Sequence, residues 1–530
     1  MSWKPEVDEI LARREAARSM GGPEAIERQH ERGRLTVRER LDALVDPDSL
    51  EEQGPIAGEA ERDAEGRVVA FHPANYLLAL ARVDGRPIVV GGEDFTQRGG
   101  SPSPAGLRRS VYAETLAIET RRPLVRFLEG GGGSVAGAGG GRKRQSEGAG
   151  GGGSPAPRMA GPPVYETNRF LSIAQVMRIV PVASAAVGAV AGFPAARLAA
   201  SHFSVMTRDT AQVLIGGPAL VERALGEKRT KQELGGAKVH ARSGVVHNVA
   251  RDEYDAIDQM KRFLSYLPGN VMELPPCAAD TPDDPERREE SLLEIIPRDR
   301  RKVYAMRRIV ECVFDRDSFF EMAAGYGRGQ ITGLARLAGR PVGVLANDPR
   351  FYAGSMDAEG ALKLRRFVEL CDTFHLPIVS LVDEPGFMIG SASERAGTIR
   401  FGVEAIASVV TSRVPWCSIM VRKAYGVAAA AHFGPKGTVL SWPSAESGAL
   451  PIEGGVAVAF RREIEAAEDP DARRRELEEA FAARRSPFPR AESFSVHDLI
   501  DPRETRPRLC RWVEQVWPLL REQLPTRPPF

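Results

Sequence analysis

The chain has 530 residues, which is more than one domain of ordinary size needs. Hydrophobic residues make up 42% and charged residues 27%, a globular composition that excludes disorder of the whole chain. The 72 basic and 71 acidic residues nearly cancel, which argues against a general nucleic-acid-binding protein because such a protein needs a basic surface.

The chain opens with a segment whose pattern predicts helices, from Val7 to Met20 and then from Glu24 to Leu44 after a helix-starting Pro23. The same segment is charged and lacks the apolar core of a secretory leader. No run of about 18 apolar residues occurs, so no membrane span is expected. We therefore expect residues 1–45 to form an N-terminal helical segment of a cytoplasmic protein that does not associate with membranes.

An internal repeat follows this segment. The run Ala81–Pro87 recurs as Ala335–Pro341, with the pattern Ala-Arg-x-x-Gly-Arg-Pro in both and an offset of 254 residues. Three more blocks keep this offset: Asp94 with Asp348, Gly100-Ser101 with Gly354-Ser355, and the apolar runs from Pro123 and Pro377. Four blocks at one offset predict two tandem copies of one domain.

A fifth repeated block lies at a different offset. Val180-Pro181 followed by Gly192 matches Val414-Pro415 followed by Gly426, 234 residues later. The first copy therefore holds 20 extra residues, and the Gly-rich stretch that begins at Gly130 is the obvious insertion. We predict the two copies at residues 46–265 and 305–530, joined by a polar, Pro-rich linker at residues 266–304.

Within each copy, short apolar runs rich in β-branched residues alternate with amphipathic helical patterns. In the second copy the predicted order is strand, helix, strand, helix, strand, at Pro341–Leu345, Ala358–His375, Pro377–Val382, Ile399–Thr411 and Pro415–Val421. This alternation predicts an α/β fold of βαβ units, with ligands bound near the carboxyl ends of the strands.

Two strand-to-helix junctions of the fifth block are the strongest candidate sites. They follow the strands Val182–Val187 and Cys417–Val421, and each contains a glycine, Gly192 or Gly426, before an Ala-rich helix. A helix N-terminus presents free N–H groups, and two such groups aimed at a thioester carbonyl would stabilise an enolate oxygen. The alternative is that these glycines only permit close helix–sheet packing, although their paired occurrence favours the functional interpretation.

A second candidate is the turn Asp383–Gly390, at the carboxyl end of a repeated strand, together with the turn after Leu128. It is interpreted either as substrate-lining backbone or as a plain turn, because Pro-Gly is a strong turn signal in itself. Asp383 and Glu384 are neighbours in a strand and should point to opposite faces, so paired-carboxylate chemistry is unsupported.

Searches for other catalytic patterns fail. No P-loop, HExxH or GxSxG motif occurs. The five cysteines are far apart and include no CxxC pair, so neither a disulfide framework nor a metal site is indicated. His202-Phe203 and His432-Phe433 occupy similar places in the two copies, and we interpret both histidines as core or interface residues rather than catalytic bases.

Motifs spread along the whole chain point to one family. They are Gly33–Arg40, Asp94–Ser101, Gly217-Pro218, Glu233–His240, Asp383–Phe387, Arg422–Gly426, Trp442-Pro443 and Asp501–Arg506. Together they resemble the carboxyltransferase (beta) subunits of biotin-dependent acyl-CoA carboxylases, such as those for propionyl-CoA and methylcrotonyl-CoA.

The resemblance implies two tandem crotonase-like (ClpP/crotonase) domains with βαβ superhelical units, in agreement with the repeat. It implies transfer of CO2 from carboxybiotin to the alpha carbon of an acyl-CoA, with backbone N–H pairs holding the thioester enolate and the biotin carbonyl. The chain lacks a Met-Lys-Met attachment motif, so biotin is expected on a partner biotin carboxylase or carrier subunit, and coenzyme A as part of the substrate. A homo-hexamer, or a hetero-oligomer with a paralogue, is also implied.

Carried over residue by residue, the resemblance places the catalytic N–H pairs on Gly192 and Phe193 and on Val427 and Ala428. The substrate-lining residues that it implies are Gly131, Gly132, Gly133, Gly188, Gly386, Phe387, Gly426 and Ala430.

Departures from the family pattern fall at this expected site. Phe193 stands where the family has Gly, and the turn that begins at Glu129 (EGGGGS) replaces the family's Asp-Ser-Gly-Gly-Ala-Arg. Val427 replaces a Gly and Ala430 replaces an Asp. All of these residues keep a backbone N–H, but a Cβ in place of Gly can obstruct a ligand. Two alternatives therefore stay open: a biotin-independent acyl-CoA decarboxylase or lyase, and a non-catalytic scaffold subunit of a carboxylase complex.

The Gly-rich insertion is the last candidate. Its start, Gly130–Gly133, falls where the resemblance implies the CoA-side turn, and its remainder, Gly137–Gly153, carries the basic triplet Arg142–Arg144. The high chain entropy of such a loop predicts poor order without ligand. A lid that offers the triplet to CoA phosphates and an idle loop are equally compatible with this composition.

Overall fold

The computed structural model describes residues 2–131, 169–278, 283–300, 302–483, 486–527 and 529. They form two compact units. The first unit contains the residues up to His240 together with Val249–Lys261, and the second contains Ala241–Asn248 together with the residues from Arg262 to 527. The described residues of the expected linker, 266–304, therefore lie in the second unit, and the domain boundaries drawn from the sequence stay predictions.

The N-terminal segment is helical, as predicted, but its second predicted helix is interrupted. Helix α1 spans Lys4–Arg18, α2 spans Pro23–Glu31 and α3 spans Val37–Leu44. Gly33, just after α2, has a positive φ of 69°, and such a glycine ends a helix. Helix α3 restarts at a capping box, in which Thr36 and Glu39 bond each other's backbone. The prediction of one helix from Glu24 to Leu44 was therefore wrong.

The first unit is built on a seven-stranded sheet. Strands β1 to β11 span Glu51–Glu52, Gly58–Arg62, Val68–Pro73, Tyr76–Val83, Arg86–Glu93, Leu124–Leu128, Val182–Ala186, Ala189–Ala191, Phe203–Thr207, Gln212–Leu214 and Asn248–Ala250. The sheet order is β1-β4-β5-β6-β7-β9-β11, while β2 with β3 and β8 with β10 form separate pairs. Strands β5, β6, β7 and β9 run parallel, which confirms the predicted βαβ arrangement.

Helices alternate with the strands along this part of the chain, and those that begin at Ala237 and Glu253 end in the second unit. Helices α4 to α10 span Pro104–Thr120, Arg169–Val176, Phe193–Ala199, Pro218–Leu225, Lys231–Gly235, Ala237–Ser243 and Glu253–Ser265. Helix α4 connects the parallel strands β5 and β6 and buries its apolar face, including Ala113, Leu116 and Ala117, against residues of the sheet.

The second unit is built on an eight-stranded sheet. Strands β12 to β19 span Phe320–Met322, Gln330–Leu337, Arg340–Asn347, Ile378–Glu384, Trp416–Tyr425, Thr438–Ser441, Glu446–Gly448 and Asp498–Leu499. The order is β12-β13-β14-β15-β16-β17-β19, and β18 pairs with β16. The first three strands are antiparallel and the others parallel.

Helices of the second unit follow the same pattern. Helices α11 to α20 span Met306–Val313, Ala358–Thr373, Ser391–Arg395, Thr398–Val410, Ile452–Ala459, Arg461–Glu465, Pro470–Ala483, Phe488–Glu492, Thr505–Val516 and Leu520–Gln523. A short 3-10 helix, called the 427–432 helix below, spans Val427–His432. No helix in the described ranges is long and apolar enough to cross a membrane.

The tandem repeat is confirmed at the level of single residues. Strands β4 and β5 reappear as β13 and β14 with both ends shifted by the same 254 residues, and α4 reappears as α12. The hairpin register repeats as well, since Arg82 pairs with Pro87 in the first copy and Arg336 with Pro341 in the second. The two copies therefore place equivalent junctions at equivalent points of two sheets.

Candidate active site

Gly192 and Gly426 occupy the same backbone conformation in the two copies. Gly192 has φ 63° and ψ −129°, and Gly426 has φ 62° and ψ −162°. A left-handed φ with an extended ψ is a conformation that essentially only glycine adopts. Each glycine immediately precedes a short helix, α6 in the first copy and the 427–432 helix in the second. The structure thus contains both predicted strand-to-helix junctions, and the backbone conformation at each of them requires a glycine.

The sequence-predicted donors lie at the start of these two helices. Phe193 is the first residue of α6, and Val427 and Ala428 are the first two of the 427–432 helix. The first N–H groups of a helix have no intrahelical partner and form the positive end of the helix dipole. Val427 is 63% exposed, whereas Ala428 is buried. Ala430, the remaining predicted pocket residue of this run, is exposed.

The Phe193 side chain is held on its own helix. Its ring lies 4.3 Å from the Arg197 guanidinium carbon and meets Phe170 edge-on at 5.7 Å between centroids. Arg197 and Arg126 share the carboxylate of Glu114 at 2.8 Å each, and all three are buried. Phe193 therefore covers a buried ion cluster that sequence reasoning missed.

The first-copy turn after β6 is anchored next to Gly192. The N–H of Ala191 donates to the carbonyl of Gly130 at 2.9 Å. Gly131 is exposed with open space around it, as a substrate-facing residue would be. Gly188 is buried, and a Cβ there would meet the Glu129 carboxylate at 2.3 Å, so this glycine permits a close packing contact. Gly132, Gly133 and the basic triplet Arg142–Arg144, with the lid proposed on them, lie outside the described residues.

Glu129 is the centre of a buried ionic cluster. Its carboxylate lies 3.1 Å from Arg34, 2.7 Å from Arg40 and 2.8 Å from the amide nitrogen of Gln29. Arg40 also pairs with Glu253 at 2.5 Å. Burial raises the pKa of the Glu253 carboxyl although Arg40 opposes the shift. The motif around Arg34 and Arg40, which the resemblance had marked without a role, thus fixes the base of the first-copy turn.

The second-copy turn is anchored by backbone pairing. Gly386 has φ 128°, and its carbonyl accepts the N–H of Met356, whose own carbonyl accepts the N–H of Met388. The Phe387 ring lies against Gly402 of α14, where a Cβ would meet it at 2.2 Å. Gly386 and Phe387 are half-buried. The predicted substrate-lining turn is therefore a rigid edge of the sheet, and its contact with substrate stays a prediction.

The two adjacent acids of this turn point to opposite sides, as predicted. Asp383 accepts hydrogen bonds from the Tyr304 hydroxyl at 2.9 Å and from the Lys423 N–H at 3.0 Å. Burial, and then the Asp383 charge, raise the pKa of the Tyr304 hydroxyl. Glu384 faces a different set of residues. The prediction that the two carboxylates face opposite sides is confirmed.

A second buried polar cluster surrounds Glu384, and sequence reasoning missed it. Glu384 Oε2 accepts hydrogen bonds from Gln330 Nε2 at 3.2 Å and from Asn347 Nδ2 at 3.0 Å, and lies 3.4 Å from His432 Nε2. His432 Nδ1 lies 3.0 Å from the Ser380 hydroxyl. All five side chains are buried. Polar residues inside otherwise apolar strand patterns were the available signal.

The two predicted structural histidines are not equivalent. His432 is the last residue of the 427–432 helix, whereas His202 lies three residues beyond α6, and the repeat offset aligns His432 with Leu198. The Val182 N–H donates to His202 Nδ1 at 3.1 Å. Burial lowers the pKa of His202 to about 3, so it is neutral. Both rings are used in packing, which agrees with their interpretation as core residues.

No charged side chain is required for the donor geometry of either junction, and the described ranges contain no cluster of His, Cys, Asp or Glu suited to a metal ion. What each junction offers is a pair of uncharged N–H groups at a helix start. Such a pair suits an oxygen that gains negative charge during a reaction. This is the chemistry of acyl transfer and enolate stabilisation.

Comparison with known proteins identifies the class. The carboxyl transferase domain family matches residues 28–527, so the chain belongs to this family and is a carboxyltransferase. The propionyl-CoA carboxylase carboxyltransferase subunit of Haloferax mediterranei is 33% identical over 515 residues, covering 96% of this chain and 95% of the relative. The methylmalonyl-CoA carboxyltransferase 12S subunit of Propionibacterium freudenreichii subsp. shermanii is 32% identical over 514 residues, covering 96% and 93%.

A solved structure agrees with these matches. The transcarboxylase 12S hexamer, with methylmalonyl-coenzyme A and methylmalonic acid bound, has a TM-score of 0.82 at 30% identity over 100% of this chain and 97% of that chain. The resemblance drawn from the motifs and the fold of two crotonase-like domains are thereby confirmed. The alternatives of a biotin-independent lyase and a non-catalytic scaffold are not favoured.

Proposed function

We propose that this chain is the carboxyltransferase subunit of an acyl-CoA carboxylase and moves a carboxyl group between biotin and the alpha carbon of propionyl-CoA. The observation that carries the proposal is the matched pair of helices in the two copies, each preceded by a glycine and without a side-chain cap at its start. The substrate is chosen because the relatives at 32–33% identity are named for propionyl-CoA and methylmalonyl-CoA.

The chain's contribution is electrostatic. One N–H pair holds the thioester oxygen while the alpha carbon loses a proton and the thioester becomes an enolate. The other pair would hold the ureido carbonyl of biotin, whose ring nitrogen would take up that proton as it gives up CO2. Carboxybiotin supplies the CO2. Backbone donors are fixed before reaction, so no free energy is lost in turning them toward the developing charge, and each is typically worth about 2.7–4 kcal/mol of barrier.

The residues at the second junction fit an uncharged carbonyl such as that of biotin. The donors at Val427 and Ala428 are neutral, and the neighbouring Ala430 brings no charge to the surface. The departure at Val427 leaves the N–H in place, and its side chain points into open surface, as its exposure shows. Phe193 likewise keeps its N–H while its ring is engaged by Arg197.

A proline at position 427 tests the donor directly. Val427→Pro removes one N–H, and proline is well tolerated at the first position of a helix. The matched control is Val427→Ala, which keeps the N–H and shortens the same exposed side chain. The assay follows carboxyl transfer from methylmalonyl-CoA to free biotin, which needs no partner subunit.

We expect wild type and Val427→Ala to turn over, and Val427→Pro to lose about 100-fold or more in kcat. If Val427→Pro and Val427→Ala show equal rates, the N–H of residue 427 is not a donor. If the wild-type chain moves no carboxyl group from any acyl-CoA to biotin, the proposed function is wrong.

The assembly follows from the same relatives. We propose a homo-hexamer, because the structural relative is a hexamer, with biotin delivered by a separate carboxylase or carrier subunit because no attachment motif occurs in this chain. We propose a cytoplasmic location, as expected from the sequence. Light scattering of the purified chain, with a mass near six times 57.6 kDa, tests the hexamer.

A further inference from the structure

We propose that Glu384 and His432 are positioning residues that hold two substrate-lining segments of the second copy, the turn 386–388 and the 427–432 helix, in one fixed arrangement. This inference rests on the proposed function, because it matters only if Val427 and Ala428 are reaction donors. The inference concerns the buried pair Glu384 and His432, and not the donors Val427 and Ala428 themselves.

One carboxylate contacts both segments. Glu384 Oε1 accepts the N–H of Gly386 at 3.0 Å, and Gly386 begins the turn. Glu384 Oε2 lies 3.4 Å from His432 Nε2, and His432 ends the helix whose first residues are the donors. Strand β15 has a bulge between Val382 and Glu384, a feature that re-aims side chains near functional sites. A single side chain thus contacts both the turn and the helix.

The pair is locked from every side. Gln330 and Asn347 donate to the same carboxylate oxygen, and the Ser380 hydroxyl meets the other ring nitrogen of His432 at 3.0 Å. The carbonyl of His432 accepts the Ser418 hydroxyl at 2.7 Å. Because these groups are buried, the contacts around them restrict the rotamers of Glu384 and His432, as a rigid support for a reaction site requires.

The fold does not itself need this pair. At the repeat offsets, Glu384 aligns with Gly130 and His432 aligns with Leu198. In the first copy the turn and the junction are instead joined by backbone, since the Ala191 N–H donates to the Gly130 carbonyl at 2.9 Å. One architecture thus exists with and without the Glu–His pair, which points to a task particular to the second copy.

Burial also defines the kind of role. Ser380, His432 and Glu384 are each at most 1% exposed, so their side chains are enclosed within the second unit, and we assign them the support of the donor segment rather than contact with substrate. The six residues of the 427–432 helix rise by about 10 Å, so a movement of the ring at one end tilts the donors at the other. A misplacement of about 1 Å can lower the rate about 100-fold.

The experiment compares full-length Glu384→Gln, His432→Gln and the double variant in carboxyl transfer from methylmalonyl-CoA to free biotin. The matched control is His375→Gln. His375 is also buried in the second unit and lies 2.7 Å from a carbonyl oxygen, that of Val271, but it contacts neither segment. Thermal unfolding of each variant is measured alongside kcat and KM.

We expect each single variant to lose about 10- to 100-fold in kcat with KM for methylmalonyl-CoA within about three-fold of wild type. The double variant should lose no more than the worse single variant, because residues that act as a unit are not additive. His375→Gln should lower the unfolding temperature comparably and keep kcat within about two-fold.

The outcomes separate the two proposals. An inactive wild type overturns the proposed function. An active wild type with both single variants within about two-fold of His375→Gln overturns the positioning role and leaves the function standing. Glu384→Gln conserves shape and should fold; if it does not, the pair is a folding requirement and the inference is also wrong.

Discussion

Replacing Gly426 by alanine should impair the second junction through backbone conformation alone. A Cβ built at Gly426 would have the Ala449 carbonyl oxygen as its nearest neighbour, at 3.5 Å, which is an ordinary contact. Steric crowding of the new Cβ therefore contributes nothing to the expected effect. The backbone at φ 62° and ψ −162°, however, is a strained conformation for alanine.

The backbone can respond to Gly426→Ala in two ways, and the free-energy cost of each can be stated. If the backbone keeps its conformation, the strain lowers the free energy of unfolding by about 1–3 kcal/mol. If the backbone relaxes, the peptide between residues 426 and 427 turns and the Val427 N–H leaves its direction. Loss of one such donor costs about 2.7–4 kcal/mol of barrier, or about 100- to 1000-fold in kcat.

The assay is carboxyl transfer to free biotin together with thermal unfolding. Gly455→Ala is the control, because Gly455 lies in helix α15 and a Cβ there meets nothing within 4 Å. Alanine in a helix interior should stabilise by up to about 1 kcal/mol and leave kcat unchanged. A Gly426→Ala variant with kcat within about three-fold of wild type and an unchanged unfolding temperature would refute the reasoning.

Three further predictions concern single side chains of the first unit. Glu129→Gln removes the counter-charge of Arg34 and Arg40 and should lower the free energy of unfolding, measured by urea titration, by about 3–5 kcal/mol. The control Glu65→Gln breaks an exposed pair with Arg67 and should change that free energy by less than about 1 kcal/mol. Equal effects of the two substitutions would contradict the role of Glu129. Phe193→Ala keeps the backbone donor and should retain kcat within about ten-fold, so a 100-fold loss would show that the ring is needed. His202 has a pKa of about 3 in the folded chain against an ordinary value of 6.5, so the unfolded chain binds more protons between pH 3 and pH 6.5. The free energy of unfolding therefore falls as the pH falls from 6.5 to 3, by up to about 1.4 kcal/mol per pH unit. His202→Gln should flatten that slope in urea midpoints from pH 4 to 6.5, and parallel profiles would contradict the assignment.

Much of the fold was predictable because its signals are local. Strand and helix periods, and the repeat that copies them, lie within short windows of sequence. The 254-residue offset seen in Ala81–Pro87 therefore reappears in strand ends and hairpin register without adjustment. The one helix predicted too long, from Glu24 to Leu44, failed where Gly33 adopts a positive φ, a conformational choice that the helical period does not encode.

The candidate site was predictable in its backbone and not in its side chains. Gly192 and Gly426 stand at junctions that the repeat marks, and their conformation follows from the absence of a Cβ. The orientation of Phe193 toward Arg197 and the role of Gly188 as room for Glu129 depend on neighbours that no spacing rule specifies.

The sequence by itself determined the two copies, their α/β elements, the paired glycine junctions and the family. Only the tertiary structure decided which buried polar groups meet: Glu129 with Arg34 and Arg40, about ninety residues earlier, and Glu384 with His432, forty-eight residues later. The reason is physical. Secondary structure and turns follow from interactions within a few residues, whereas a buried polar group must find its partner wherever packing of the whole unit places one.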